Sequence, residues 1–217
     1  MKNVYLIMAL VCMMMASCCK EGGDGRIQGH EYVDLGLPSG LKWATRNIGA
    51  DNPEDYGRYF AWGETDTKHE YVEYNYQYWN DTDGDGDWDY GESTINSDIS
   101  GEVLFDASTA NWGDRWRMPT KAEQEELLNN CTWTWTTQNG VNGYKVTGSN
   151  GNSIFLPAAG FRAGTTLYLD GLYGNYWSST PDAYDNYAFF LHFSDGDGFL
   201  AWGYWRSSGM PVRPVSE

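Results

Sequence analysis

Positive charge is scarce in this chain of 217 residues: 14 Lys and Arg stand against 30 Asp and Glu, for a net charge of −16 at pH 7. A field of that sign repels phosphate backbones, which excludes nucleic acid as an electrostatic partner. Of four cysteines only Cys131 lies beyond residue 19, so no disulfide framework is indicated. Cys131 itself reads as a small buried hydrophobe. Histidine is limited to His30, His69 and His192, far apart in sequence. The chain has no H-E-x-x-H, no G-x-S-x-G, no P-loop and no zinc-type C-x-x-C. Acidic residues are too numerous to single out a catalytic pair, and no enzyme is expected. The apolar run at residues 4–16 is too short to span a bilayer as a helix. No long Pro- or Ser-rich linker divides residues 26–217, and nothing repeats at a period of roughly 20–50 residues.

The amino terminus carries an address. Lys2 is the only charge before Lys20, and Met15-Ala16-Ser17-Cys18 closes the apolar run with small residues. A basic start, a short apolar stretch and a small-residue cleavage site make a secretory signal. Cys18 after Ala16-Ser17 resembles the lipidation site of bacterial lipoproteins. Residues 1–17 are therefore the expected signal peptide and Cys18 the acylated terminus. The charged, Gly-rich stretch 18–25 reads as a flexible tether, and it resembles the surface-export signal of Bacteroidetes lipoproteins. The expected location is the outer membrane at the cell surface, with the membrane reached through the lipid on Cys18. Loss of residues 1–17 removes Lys2 and takes the net charge to −17.

Aromatic residues are abundant: 11 Trp, 16 Tyr and 8 Phe, beside 26 Gly. That composition excludes acidic disorder, which is poor in aromatics. Short apolar or aromatic runs alternate with Gly, Asn and Asp turns, as antiparallel strands do. The pattern predicts strands at 31–35, 42–45, 59–62, 144–147, 153–157, 174–178, 187–193 and 210–214. Turns at 148–152 and 194–198 each close a hairpin. The stronger of two predicted helices covers 121–130, where Thr120 and Glu123 form a capping box and Pro119 stops upstream extension. The weaker starts at Asn52-Pro53 and runs to Tyr56. Two helices among many short strands give the expected fold class, α+β.

Several blocks carry a family resemblance. They are Tyr32-Val-Asp-Leu-Gly-Leu-Pro-Ser-Gly-Leu-Lys-Trp-Ala-Thr45, Tyr59-Phe-Ala-Trp-Gly-Glu64, Ala110-Asn-Trp-Gly113, Trp116-Arg-Met-Pro-Thr120, Gly143-Tyr-Lys-Val-Thr-Gly148, Ile154-Phe-Leu-Pro-Ala-Ala-Gly160, Tyr176-Trp-Ser-Ser-Thr180 and Gly209-Met-Pro-Val-Arg-Pro214. Together they resemble the Fibrobacter succinogenes major paralogous domain of Bacteroidetes surface lipoproteins. The resemblance implies one domain over 26–217, related to C-type-lectin-like folds and the formylglycine-generating-enzyme group. The implied fold is α+β, with short antiparallel strands, one or two helices, long loops, and first and last strands paired. Arg46 stands where related sequences often carry Cys, which would leave Cys131 an orphaned partner.

Residues 64–111 read as an insertion, and they hold the sharpest motif. Asp81-Thr-Asp83-Gly-Asp85-Gly86-Asp87-Trp-Asp89-Tyr-Gly-Glu92 matches D-x-[DN]-x-[DN]-G-x5-E at every specified position. Calcium takes hard oxygen ligands, and this spacing wraps the chain round one ion. Asp81, Asp83 and Asp85 supply side-chain oxygens and Gly86 makes the sharp turn. The Asp87 carbonyl coordinates, Asp89 acts through water, and Glu92 closes the site bidentately. The flanks do not read as the two helices of an EF-hand, and a solvated Asp/Gly turn is the competing reading. Calcium is the expected cofactor, ordering the insertion rather than performing chemistry. The acidic turn Asp195-Gly196-Asp197-Gly198 lacks a closing Glu and reads as a hairpin.

Most aromatics are expected to fill the core of a strand-rich domain. Trp79, Trp88, Tyr204 and Trp205 are the candidates for a ligand surface, because Trp and Tyr stack on sugars and anchor protein partners. The leading functional expectation is a lipid-anchored, calcium-stabilised cell-surface binding or adhesion domain, its ligand a glycan or a host or surface protein. The alternative is a structural or accessory subunit of a surface assembly without a soluble ligand. An enzyme on a lectin-like scaffold is the third class.

Overall fold

The structure, a computed structural model, describes residues 25–81, 91–184 and 186–217, with the side chains of 81, 92 and 197–202 outside the described set. Strands β1 (Arg26–Ile27), β2 (His30–Asp34) and β3 (Lys42–Ala44) join β14 (Val215–Ser216) in one sheet, ordered β1-β2-β3-β14. Two three-stranded meanders follow: β6 (Thr132–Gln138), β7 (Val141–Thr147) and β8 (Ser153–Pro157); then β11 (Tyr173–Pro181), β12 (Tyr187–Ser194) and β13 (Asp197–Trp205). Hairpins β4 (Trp79–Asp81) with β5 (Gly91–Ser93), and β9 (Phe161–Ala163) with β10 (Thr166–Tyr168), complete the strands. Every named pairing is antiparallel.

The expectation of an α+β, C-type-lectin-like domain is not met. Among the described residues the protein is β-rich, built from several antiparallel sheets with only two short α-helices. Helix α2 (Lys121–Asn130) forms where predicted, with both halves of the Thr120–Glu123 capping box in place. The predicted helix at 52–56 is a turn. The Asp55 carboxylate accepts from the backbone N–H of Asp51 (3.2 Å) and Asn52 (2.8 Å), which closes the chain on itself before a helix can propagate. Helix α1 (Ala107–Trp112) lasts only six residues. Among the described residues no helix is long and apolar enough to cross a membrane. The first and last strands share a sheet, but β14 pairs with β3 rather than with β1.

The β11-β12-β13 sheet sits between two apolar clusters, because alternate residues point to opposite faces. Trp177, Ala188 and Phe190 face a cluster with Phe60, Trp62, Trp112, Trp116 and Met118. Tyr176, Leu191 and Phe193 face another with Leu35, Trp43, Leu127, Val146 and Val215. Three of the buried rings place their polar atoms on backbone carbonyls: Trp62 Nε1 donates to Ser178 O, Trp116 Nε1 to Ile27 O and Trp177 Nε1 to Phe60 O, each at 2.9 Å.

Two buried charged side chains tie loops to this core. The Asp106 carboxylate accepts from the N–H groups of Ser108 (2.7 Å), Thr109 (3.2 Å), Gly101 (2.8 Å) and Met118 (2.8 Å), capping α1 and joining two loops. Arg213 donates to Asn47 Oδ1 (2.8 Å) and to the carbonyls of Ala44, Thr45 and Phe155. Burial lowers its pKa to about 10, which still leaves it protonated at neutral pH. Gly148 lets the β7-β8 turn lie against residue 35, where a Cβ would stand 1.8 Å from the Leu35 carbonyl oxygen.

Candidate functional site

The β4-β5 hairpin fixes the ends of the twelve-residue acidic loop. Trp79 pairs with Ser93, Asn80 with Glu92, and Asp81 with Gly91. Asp81 and Glu92, positions one and twelve of the calcium pattern, therefore stand on adjacent rungs of one ladder, their backbones close while successive rungs alternate between its two faces. Asp83, Asp85, Asp87, Asp89 and Trp88 lie outside the described residues, as do Cys18, the signal segment 1–17 and the tether up to residue 24. Among the described residues no group of three His, Cys, Asp or Glu could hold a metal ion.

The hairpin is anchored from below. Glu64 is buried and pairs with Lys68 at 2.8 Å, and its carboxylate also accepts from Gln77 N–H at 3.0 Å. Lys68 donates further to Asn75 O, and its ammonium lies 5.9 Å from the ring centres of both Tyr71 and Tyr76. These contacts fasten the 3-10 turn Glu73–Asn75 to the loop before β4. Tyr76 is buried and donates to Trp62 O at 2.8 Å, and burial pushes its hydroxyl pKa well up, so it stays protonated.

Arg206 joins the hairpin to the main sheet. It is buried, its guanidinium lies 4.4 Å from the Trp62 ring centre, and it donates to Tyr187 O (2.8 Å), Ser93 Oγ (2.5 Å) and Ile95 O (2.7 Å). One guanidinium thus holds β5, the segment after it and β12 together, as a planar five-donor group can.

Above Arg206 lies a cleft lined by Glu73, Tyr76, Trp79, Asn186, Trp205 and Ser207. It encloses only about 10 Å³, the room of about one water molecule. It is therefore a shallow platform and not a chamber that swallows a ligand. Trp205 is 36% exposed, with Tyr187 edge-on at 5.0 Å and the exposed Tyr184 beyond. Of the four aromatic candidates, the structure brings Trp79 and Trp205 to one cleft. It does not bring Tyr204, which β13 turns to the other side, edge-on to Phe161 at 5.4 Å and near Phe190 at 5.8 Å. Glu73, Asn186 and Arg206 at the cleft carry no sequence motif, and only the adjacency of Trp205 and Arg206 could have drawn attention to one of them.

The remaining polar candidates have structural surroundings. His192 is half-buried, its Nδ1 2.8 Å from Asn175 Oδ1 and its ring stacked on Tyr173. His30 stacks flat on Trp112 at 3.8 Å. Burial lowers the pKa of both. Cys131 is a half-buried free thiol whose pKa is raised by burial and by Glu126. Ser194 pairs with Asp197 across the second acidic turn, as a tight hairpin requires. Comparison of the chain with family models, with curated proteins and with solved structures finds no match.

Proposed function

We propose that this protein is a cell-surface binding domain, held to the outer membrane by a lipid on Cys18. Calcium in the 81–92 loop steadies the β4-β5 hairpin, and the Trp79–Trp205 platform contacts a glycan or a surface protein. One observation carries the reading: the ladder that holds the backbones of Asp81 and Glu92 on adjacent rungs begins at Trp79, a wall of the cleft. A ligand loop of this kind gains most when its ends are already held together, because the ordering cost is then partly met by the fold. An exposed aromatic on a shallow surface with amide and carboxylate groups at its rim suits a ligand with one flat apolar face and several hydroxyls.

Terbium in place of calcium tests the loop. Excitation of Trp79 or Trp88 is expected to sensitise terbium emission, and Asp81→Ala with Glu92→Ala to abolish it. Equal emission from the double variant would refute the metal assignment. Glycan and matrix-protein arrays probed with and without chelator test the platform, with Trp205→Ala expected to lose what the parent retains. No specific binder in the presence of calcium would count against the binding role and favour an accessory subunit of a surface assembly.

A further inference from the structure

The two outer edges of the β6-β7-β8 sheet are finished differently. On the β8 side, the Phe155 carbonyl is taken by Arg213 at 2.9 Å, and Pro157 has no N–H to offer. On the β6 side no such device occurs among the described residues. β6 reads Thr-Trp-Thr-Trp-Thr-Thr-Gln, without charge, proline or glycine, and its register with β7 runs unbroken from Thr132 to Gln138. These are strong strand formers. Edges of that kind usually carry a lysine, a proline or a bulge that prevents further pairing.

The register states which backbone groups this edge offers. Asn139 and Gly140 have φ of 48° and 87°, a two-residue turn whose flanking residues exchange both hydrogen bonds. Bonding alternates from Gln138–Val141 onward. Gln138, Thr136, Thr134 and Thr132 therefore direct their N–H and C=O to β7, while Thr137, Trp135 and Trp133 turn theirs outward. The far side of β7 obeys the same parity, since Ala158 N–H donates to Asn142 O at 2.8 Å. No partner for the outward groups of residues 133, 135 and 137 occurs among the described residues.

We propose that β6 is a docking edge for an extended segment of a partner protein, uncharged in the middle and basic at its ends, which adds to the sheet as a fourth strand. Charge selects that occupant. Beside the turn, the Glu54 carboxylate accepts from the Gln138 and Asn139 side chains, and these bonds hold it below the usual carboxylate range. At the other end, Glu126 acts on the thiol of Cys131, the residue before β6. An antiparallel pair of β6 strands from two copies of this chain would set Glu54 of one against the Glu126 end of the other. The net charge of −16 on each copy opposes that approach as well. A strand with basic ends meets opposite charge at both. Main-chain bonds supply the affinity in such complexes and the side-chain pattern supplies the choice of partner. This edge belongs to a different sheet from the cleft, and the proposal does not depend on calcium or on the platform.

Amide hydrogen exchange on the whole protein tests it, with the peptide Lys-Thr-Val-Thr-Val-Thr-Val-Lys as probe and the same peptide with Glu ends as control. The Lys-ended peptide is expected to slow exchange at residues 133, 135 and 137 by about tenfold or more, and to leave 134 and 136 as they were. Thr137→Pro removes one outward N–H and no backbone bond to β7, losing only the Thr137 Oγ1 bond to Asn142 Oδ1 (2.9 Å) on that side, and is expected to weaken the peptide about tenfold. Thr134→Lys, whose side chain is exposed, is expected to do the same by charge while keeping the fold. Unchanged exchange at the edge with the Lys-ended peptide overturns the proposal. Equal protection by the Glu-ended peptide overturns the charge selection. Protection that grows with protein concentration in the absence of peptide shows self-pairing and overturns the assignment of the partner.

Discussion

Replacing Asp106 should damage the fold strongly without touching a ligand surface. Its carboxylate is fully buried and accepts four backbone N–H bonds, two in the first turn of α1 and two from Gly101 and Met118. Asp106→Ala orphans all four. A lost helix cap costs about 1 kcal/mol, and each of the other two buried donors about 1–2 kcal/mol. The expected loss is therefore about 3–5 kcal/mol. At about 2–4 °C per kcal/mol for a chain of this size, the melting temperature falls by about 10 °C. Asp106→Asn separates charge from shape. Its amide oxygen can keep Ser108 and Thr109, but its NH2 then faces the N–H groups of Gly101 and Met118, donor against donor. It should lose about 2–3 kcal/mol. Urea and thermal unfolding followed by circular dichroism measure both variants. An Asn variant within about 0.5 kcal/mol of the parent would refute the reasoning, because it would mean that the bonds to Gly101 and Met118 contribute nothing.

Two further outcomes follow from the same geometry. Burial, with a smaller effect of Arg46, holds the folded pKa of His30 below its ordinary value of 6.5, so between the two values the unfolded chain binds more protons than the folded one. Its stabilising contribution is thus complete above pH 6.5 and is lost as pH falls toward the folded value; melting temperature should drop on acidification, and His30→Phe, which keeps a ring over Trp112, should flatten that dependence. Gly148→Ala should cost about 3 kcal/mol or more, because its Cβ would meet the Leu35 backbone and not a side chain that can move; a variant that melts with the parent would show that the β7-β8 turn does not rest on residue 35.

How much of this was legible in the sequence depended on how local the cause was. The capping box of α2 needs only Thr120 and Glu123, three residues apart, and the helix begins and ends where they predict. The hairpin at 148–152 was equally local. β6 carries a readable signal, since Thr and Trp alternate up to an Asn139-Gly140 turn, yet no strand is expected over residues 132–138. Residues 59–62 and 210–214 were expected as strands, and only the isolated Phe60–Met210 bridge forms. Their aromatic content reflects burial between sheets, which pattern alone cannot tell from strand. The cleft was half legible. Trp79 and Trp205 were singled out as aromatics near loops, whereas the role of Arg206 depends on Ser93 and Trp62, residues distant in sequence and joined to it only by the fold.

The pairing of β14 with β3 also sets a timetable. Val215 lies in the apolar cluster with Trp43, pairs with it across the ladder, and exchanges backbone bonds with Arg117. That cluster cannot close while Val215 and Ser216 are still unmade or held in the ribosome. A growing chain must therefore remain open until Val215 and Ser216 are made, its early strands without the partner that completes their sheet. The same strand that finishes the core thus leaves β3 short of a neighbour until residues 215 and 216 have been made.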